Sequence, residues 1–190
     1  MISPSPSLLR QPEGETPAPL ALPGYTLSQI IYEGVNTVIY RGCRDRDQGP
    51  VVIKSHKADR SAPKEVARYR REFEIGRQFD HPGIIRYYDA QEHSHGLALI
   101  LEDFGGQGLN AWIPPIGMSA AVFLNIAIQL AKALEAIHAG QIIHKDIKPH
   151  SVAFNSQTGE AKIISFGLSS QLTRESQPAL HPPLLEGTLA

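Results

Sequence analysis

The alternation of apolar and polar residues divides the chain into a strand-rich first half and a helix-rich second half. Tyr25–Tyr32 (YTLSQIIY) and Thr37–Arg44 (TVIYRGCR) are short, rich in β-branched and aromatic residues, and joined by Glu33-Gly34-Val35-Asn36, which predicts a hairpin. A turn cluster, Asp45–Pro50, leads into a third strand, Val51–Lys54. Ser61–Asp80 then changes to a helical period: Ser61 is placed to cap it, Pro63 is tolerated in a first turn, and Val66, Tyr69, Phe73 and Gly76 form one face. His81-Pro82-Gly83 ends the helix. Two further strands are expected at Ile84–Gln91 and Leu97–Leu101, followed by a glycine hinge, Glu102–Gly106.

Beyond the hinge the period becomes helical. Leu109–Ile113 predicts a short helix stopped by Pro114-Pro115. Ser119–Ala139 is the longest helical pattern, with Ser119 as its cap, Phe123, Ile126, Leu130, Leu134 and Ile137 as its buried face, and Gly140 as its stop. A hairpin is expected at Val152–Asn155 and Ala161–Ile164 across Ser156–Gly159. Residues 1–23 carry prolines at six positions, which block helix and central strand alike, so they are expected to form a disordered leader.

Composition narrows the classes. At 42% hydrophobic the chain can bury a core, and a net charge of −1 without a basic block points away from nucleic acid and anionic membranes. The single cysteine, Cys43, rules out an internal disulfide and suits a reducing cytoplasm. No run approaches ~18 uninterrupted apolar residues, and the N-terminus lacks the basic start of a secretory signal. His93 and His95 sit together in a loop, but without a third ligand nearby they read as a polar turn.

Several short motifs recur in a fixed order: Val51-Val52-Ile53-Lys54, a helical Glu72, the hinge at Glu102–Phe104, His144-Lys145-Asp146 with Ile147-Lys148-Pro149, and Phe166-Gly167. Each is weak alone, but their joint order resembles the protein kinase superfamily, with its V-A-I-K, H-R-D-L-x-x-x-N and D-F-G motifs. The wording of LEDFGG, IIHKDI and LEGTLA is most similar to the serine/threonine-kinase-like domain at the N-terminus of large bacterial multi-domain sensor kinases.

This resemblance implies an α+β fold: an N-lobe of five antiparallel strands and one helix over 24–104, then a mainly helical, incomplete C-lobe over 105–190. It implies that Lys54, positioned by Glu72, neutralises the α- and β-phosphates of ATP. Glu102 and Phe104 would offer their backbone to adenine, with Leu101 as gatekeeper behind them. Asp146 would accept the proton of a substrate hydroxyl, and Lys148 would neutralise the transferred phosphoryl group.

The chain departs from that pattern at four places. The glycine positions of the phosphate-covering loop, G-x-G-x-x-G, read Tyr32, Gly34 and Thr37, so only Gly34 remains. Lys145 stands for the arginine of H-R-D, without its bidentate fork. Ser151 and Ser165 occupy the two expected magnesium-ligand positions, and a neutral hydroxyl does not replace a carboxylate. Leu185–Ala190 matches the end of an activation segment, so a truncated domain is expected. The resulting expectation is an ATP-binding, cytoplasmic, pseudokinase-like domain without a magnesium site. Its partners would be nucleotide and either another protein or the remainder of a larger sensor kinase. The alternatives are a truncated, non-functional remnant and an active serine/threonine kinase.

Overall fold

The computed structural model describes residues 20–57, 63–94 and 96–171. The expected cap at Ser61, the loop residue His95, most of the leader and the end of the chain lie outside the described residues.

Five strands form one antiparallel sheet in the order β1-β2-β3-β5-β4: β1 (Tyr25–Glu33), β2 (Thr37–Arg44), β3 (Pro50–His56), β4 (Tyr87–His93) and β5 (Gly96–Glu102). The helix α1 (Pro63–Gly76) packs across β4 and β5. Next come β6 (Gln107–Gly108), α2 (Leu109–Trp112), α3 (Ala120–Ala139) and β7 (Ile142–Ile143). The hairpin β8 (Val152–Asn155) and β9 (Glu160–Ile163) carries β6 on its edge, and β10 (Ser170–Gln171) pairs with β7. The fold is the α+β arrangement expected from the sequence.

The central strands β3 and β5 are covered on both faces, which explains why they read as near-continuous apolar runs rather than alternating ones. Val51, Ile53, Ala98 and Ile100 form the upper layer together with Leu22, so packing starts before Gly24 because Leu22 covers that face. On the lower face, Tyr69, Ile75, Tyr87, Leu99 and Leu101 join Ala133, Ile137, Ile142, Ile163 and Phe166 in one core that runs through both halves. Backbone bonds reinforce the junction: Ile85 donates to Ile163 and Ile163 donates to Gly83, both at 2.9 Å.

Local differences from the sequence pattern have physical causes. The strand expected from Ile84 begins at Tyr87, because Ile84 and Ile85 bond to β9 instead of extending the sheet. Helix α1 ends at Gly76, short of Asp80. In α3 the buried positions are Ile126, Ala133 and Ile137, while Phe123, expected inside, is 57% exposed with Leu124 and Ile128 beside it. An all-round apolar helix leaves its inner face undefined by periodicity alone, and the contact with β9 and β7 selects it. By length and composition α3 is also apolar enough to cross a membrane. Ser119 caps α3 by accepting from the Val122 amide, as expected. Gly140 keeps φ at −75°, however, and the left-handed turn falls on Gln141 at φ 57°.

Gly76 provides a test of the packing. Replacing glycine by alanine in a helix normally stabilises it by about 0.8–1.0 kcal/mol. Here an added Cβ would stand 2.3 Å from Cε2 of the buried Tyr87, which is held by its own hydrogen bond to Glu72. Overpacking of that kind costs about 1–3 kcal/mol and should dominate. Gly76→Ala is therefore expected to lower the urea midpoint; a raised midpoint would mean that Tyr87 is free to move aside.

Candidate active site

On β3, Lys54 lies opposite Ile39 of β2 and Leu99 of β5, so these side chains share the lower face of the sheet. On α1, Tyr69 and Glu72 face the same core one turn apart. Lys54 Nζ donates to Glu72 Oε1 at 2.7 Å and Oε2 at 2.8 Å. Glu72 is only 1% exposed, and a buried charge of that kind persists only when paired and hydrogen-bonded. The Tyr87 hydroxyl supplies a further bond to Oε1 at 3.1 Å, and the Tyr69 ring lies 5.1 Å from Lys54 Nζ. Burial first, and then the Glu72 charge, push the Tyr87 phenol well above its usual range, so it remains a donor. Burial raises Tyr69 as well.

Phe166 fills the space beneath α1. Its ring stacks on Phe79 with centroids 5.6 Å apart, meets Tyr87 edge-on at 6.2 Å and lies 5.2 Å from His144. The following Gly167 comes so close to Glu72 that an added Cβ would meet Oε2 at 3.4 Å. Gly167 is thereby seated beside Glu72.

The loop after β7 is held by its own backbone. Lys145 adopts the left-handed conformation at φ 67°, and the Asp146 amide donates to His144 Nδ1 at 3.3 Å. Lys148 Nζ reaches Asp146 Oδ2 at 3.0 Å. Ser151 is 2% exposed, and its hydroxyl is taken up by this loop. It accepts from the Lys148 amide at 3.0 Å and directs its one proton toward carbonyls, the nearer being that of Asp146 at 2.6 Å.

At the hinge, Leu101 is buried in the lower core. The Glu102 carboxylate accepts from Lys162 Nζ at 2.7 Å and from the Arg86 amide at 3.2 Å. The Phe104 carbonyl accepts from Asn155 Nδ2 at 2.7 Å, and Asp103 pairs with Arg41 at 2.6 Å. In the β1–β2 loop the Gly34 amide donates to the Thr37 carbonyl at 2.8 Å, and the Thr37 hydroxyl is 3.0 Å from the Tyr69 hydroxyl.

The residues singled out in the sequence thus fall into connected groups: Lys54 with Glu72, Asp146 with Lys148 and Ser151, and Leu101, Glu102 and Phe104 along one connector. The supporting residues Tyr69, Tyr87, Arg41, Asn155 and Lys162 carried no motif. Tyr69 was visible only as one position of a helix face, and the others only as positions within expected strands.

Two buried histidines in this region give the fold a pH dependence. His56 lies under the Tyr69 ring at 3.8 Å, and burial is the main cause holding both His56 and His144 below the ordinary 6.5. The bond from Asp146 to Nδ1 assigns the His144 proton to Nε2. Below pH 6.5 the unfolded chain takes up protons that the folded chain resists, so stability is full above that value and declines as pH falls toward the depressed folded values. The thermal midpoint is expected to drop between about pH 7.5 and about pH 5.5, and less steeply in His144→Gln. An equal slope in that variant would remove His144 from the account.

The protein kinase domain family matches residues 25–188. Among similar proteins, serine/threonine-protein kinase PrkC of Bacillus subtilis is 32% identical over 125 residues, 65% of this chain and 19% of that protein. PknA of Mycobacterium tuberculosis, also a serine/threonine-protein kinase, is 27% identical over 171 residues, 86% of this chain and 39% of its own length. ATG1a of Arabidopsis thaliana, of the same description, is 32% identical over 156 residues, covering 80% and 25% respectively. The chain thus spans well under half the length of each of these relatives. With the match running from the first strand of the sheet to within a few residues of the last position, this chain belongs to the protein kinase domain family.

Proposed function

We propose that this is a nucleotide-binding kinase domain of impaired phosphoryl transfer, a pseudokinase-like module with its two lobes meeting at the hinge near Phe104. The observation that carries the reading is the fully formed Lys54–Glu72 pair in a chain whose Ser165 stands where the family places a carboxylate. A kinase needs both that ion pair and an acidic magnesium ligand in place. The pair supports the first requirement, and the serine argues against the second.

The donor set does not fit magnesium. This hard ion is held by carboxylates and substrate phosphates. Ser151 and Ser165 are neutral, and the Ser151 hydroxyl already accepts from Lys148 and donates within its own loop. Removing one oxyanion-type stabiliser commonly costs ~100–1,000-fold in rate, and both ligand positions are altered here.

The residues do suit the nucleotide. Lys54 would face its phosphates, and the Glu102–Phe104 backbone, with Leu101 behind it, would hold the adenine. The Glu102–Lys162 and Phe104–Asn155 bonds brace that segment. ATP, when bound, supplies the phosphoryl group. Asp146 would remain as proton acceptor and Lys148 as a cation at the transferred group, already joined at 3.0 Å. Gly34 would lie above the phosphates. A protein partner, or further domains of a larger sensor kinase, would then receive the nucleotide-dependent signal, in the cytoplasm.

A thermal-shift titration with ATP, with and without magnesium, tests the reading. Stabilisation is expected in both conditions and should vanish in Lys54→Met. No stabilisation in either condition would sink nucleotide binding. Magnesium-dependent stabilisation, together with phosphate transfer that is lost in Asp146→Asn, would instead establish an active kinase.

A further inference from the structure

We propose that His56 is a proton-operated catch: its charging at acid pH loosens α1 and the β1–β2 loop from the sheet. His56 follows Lys54 by two positions on β3, so both side chains lie on the lower face. Both also meet one ring of α1. The Tyr69 ring centroid is 3.8 Å from that of His56 and 5.1 Å from Lys54 Nζ. Tyr69 in turn reaches Thr37, the residue opposite His56 on β2, with the two hydroxyls 3.0 Å apart. Helix, loop and strand therefore converge on the His56 ring.

The ring sits there without the contacts that a charge needs. His56 is 4% exposed, and among the described residues neither of its nitrogens has a hydrogen-bond partner. A neutral imidazole leaves one donor and one acceptor unsatisfied. A charged one leaves two donors and a full charge, which is far more costly to bury. The backbone that would favour a proton belongs to Glu65 and Asn36. Neither is in hydrogen-bonding geometry with the ring, and the Asn36 carbonyl already accepts from the Lys57 amide at 3.1 Å.

The charges around the ring are likewise committed. On α1, Glu65 pairs with Arg68 at 2.8 Å, and Glu72 holds Lys54. Beside the loop, Glu33 of β1 holds Lys57 at 2.6 Å. From β4, His93 meets Ser55 at 3.0 Å rather than His56 itself, and β5 offers only the apolar Leu97, Ala98 and Leu99 there. A cation at His56 would join Lys54 and Arg68 without a free carboxylate to match it. Burial first, and the Arg68 charge with it, hold the folded ring below the ordinary 6.5, against the opposing pull of Glu65. Opening the contact with α1 lets water reach the ring, which then takes its proton at the ordinary value. Opening is therefore unaffected above 6.5 and becomes easier as pH falls, until the depressed folded value is reached. Because Tyr69 and Glu72 share α1, the Lys54–Glu72 pair loosens with the catch.

Hydrogen exchange of the full chain at about pH 7.5 and about pH 5.5, corrected for the intrinsic pH dependence of exchange, tests this without any ligand. Opening of α1, measured against the β8–β9 hairpin, is expected to rise by up to about tenfold, the proton-linked limit one unit below 6.5. His56→Phe keeps a ring against Tyr69 but takes no proton, so its ratio should stay constant, as should that of His56→Leu. His93→Gln should leave the rise intact. A constant ratio in the wild type, the same rise in both His56 variants, or its loss in His93→Gln would overturn the proposal. If neither His56 variant folds, the imidazole resonances of the wild type decide. A His56 ring that charges at or above 6.5 ends the proposal, and one still neutral at about pH 6 while α1 opens sustains it.

Discussion

The buried Lys54–Glu72 pair is the constraint on which the rest of this structure depends. A carboxylate that is 1% exposed has lost its hydration, and an uncompensated charge of this kind costs roughly 3–5 kcal/mol when its partner is removed. The compensation comes from separate elements: Lys54 from β3, Tyr87 from β4 and Glu72 itself from α1. Satisfying one charge therefore sets α1 against the sheet at a defined rotation. That rotation brings Tyr69 to Thr37 and leaves beneath the helix the space that Phe166 fills. The aromatic contacts of Phe166 with Phe79, Tyr87 and His144 extend the same arrangement into the second half of the chain.

The same constraint explains why serines at Ser151 and Ser165 coexist with a fully formed Lys54–Glu72 pair. Phe166 and Gly167 are held by packing and by close approach to Glu72, neither of which needs the residue before them to be acidic. At the other position, Ser151 meets the structural demand of its loop with one hydroxyl that both accepts and donates. A serine is short enough to be enclosed there, and its enclosure is what withdraws it from any ligand. Folding and metal chemistry are thus separable at both sites.

Much of this was legible in the amino-acid sequence. The strands announced themselves by β-branched runs between turn clusters, and the order of Lys54, Glu72, Asp146 and Phe166 carried the resemblance to the kinase family. Three kinds of feature were not legible. The start of β4 depended on Ile84 and Ile85 bonding to β9, a contact between residues far apart in the chain. The inner face of α3 depended on which neighbours pack on it, since Phe123 and Ile126 are equally apolar and only one is buried. The braces at Lys162, Asn155 and Arg41 are polar residues whose partners lie 51 to 62 positions away, beyond the reach of any local pattern.

The departures from the kinase pattern are consistent with one another, and that consistency is informative. Had only the loop glycines changed, a metal at the family's asparagine and aspartate positions would still supply charge to a triphosphate. Had only the metal positions changed, open glycines would still let backbone amides approach it. Here the loop amide of Gly34 is satisfied internally, the two cleft lysines each face a carboxylate, and both ligand positions are hydroxyls. The loop glycines and both metal-ligand positions are altered, while the Lys54–Glu72 pair that a kinase needs is retained and the connector is braced at Glu102 and Phe104. The changes thus fall on positions whose role in the family is at the phosphates and the metal, while the groups that pack and brace the fold are kept.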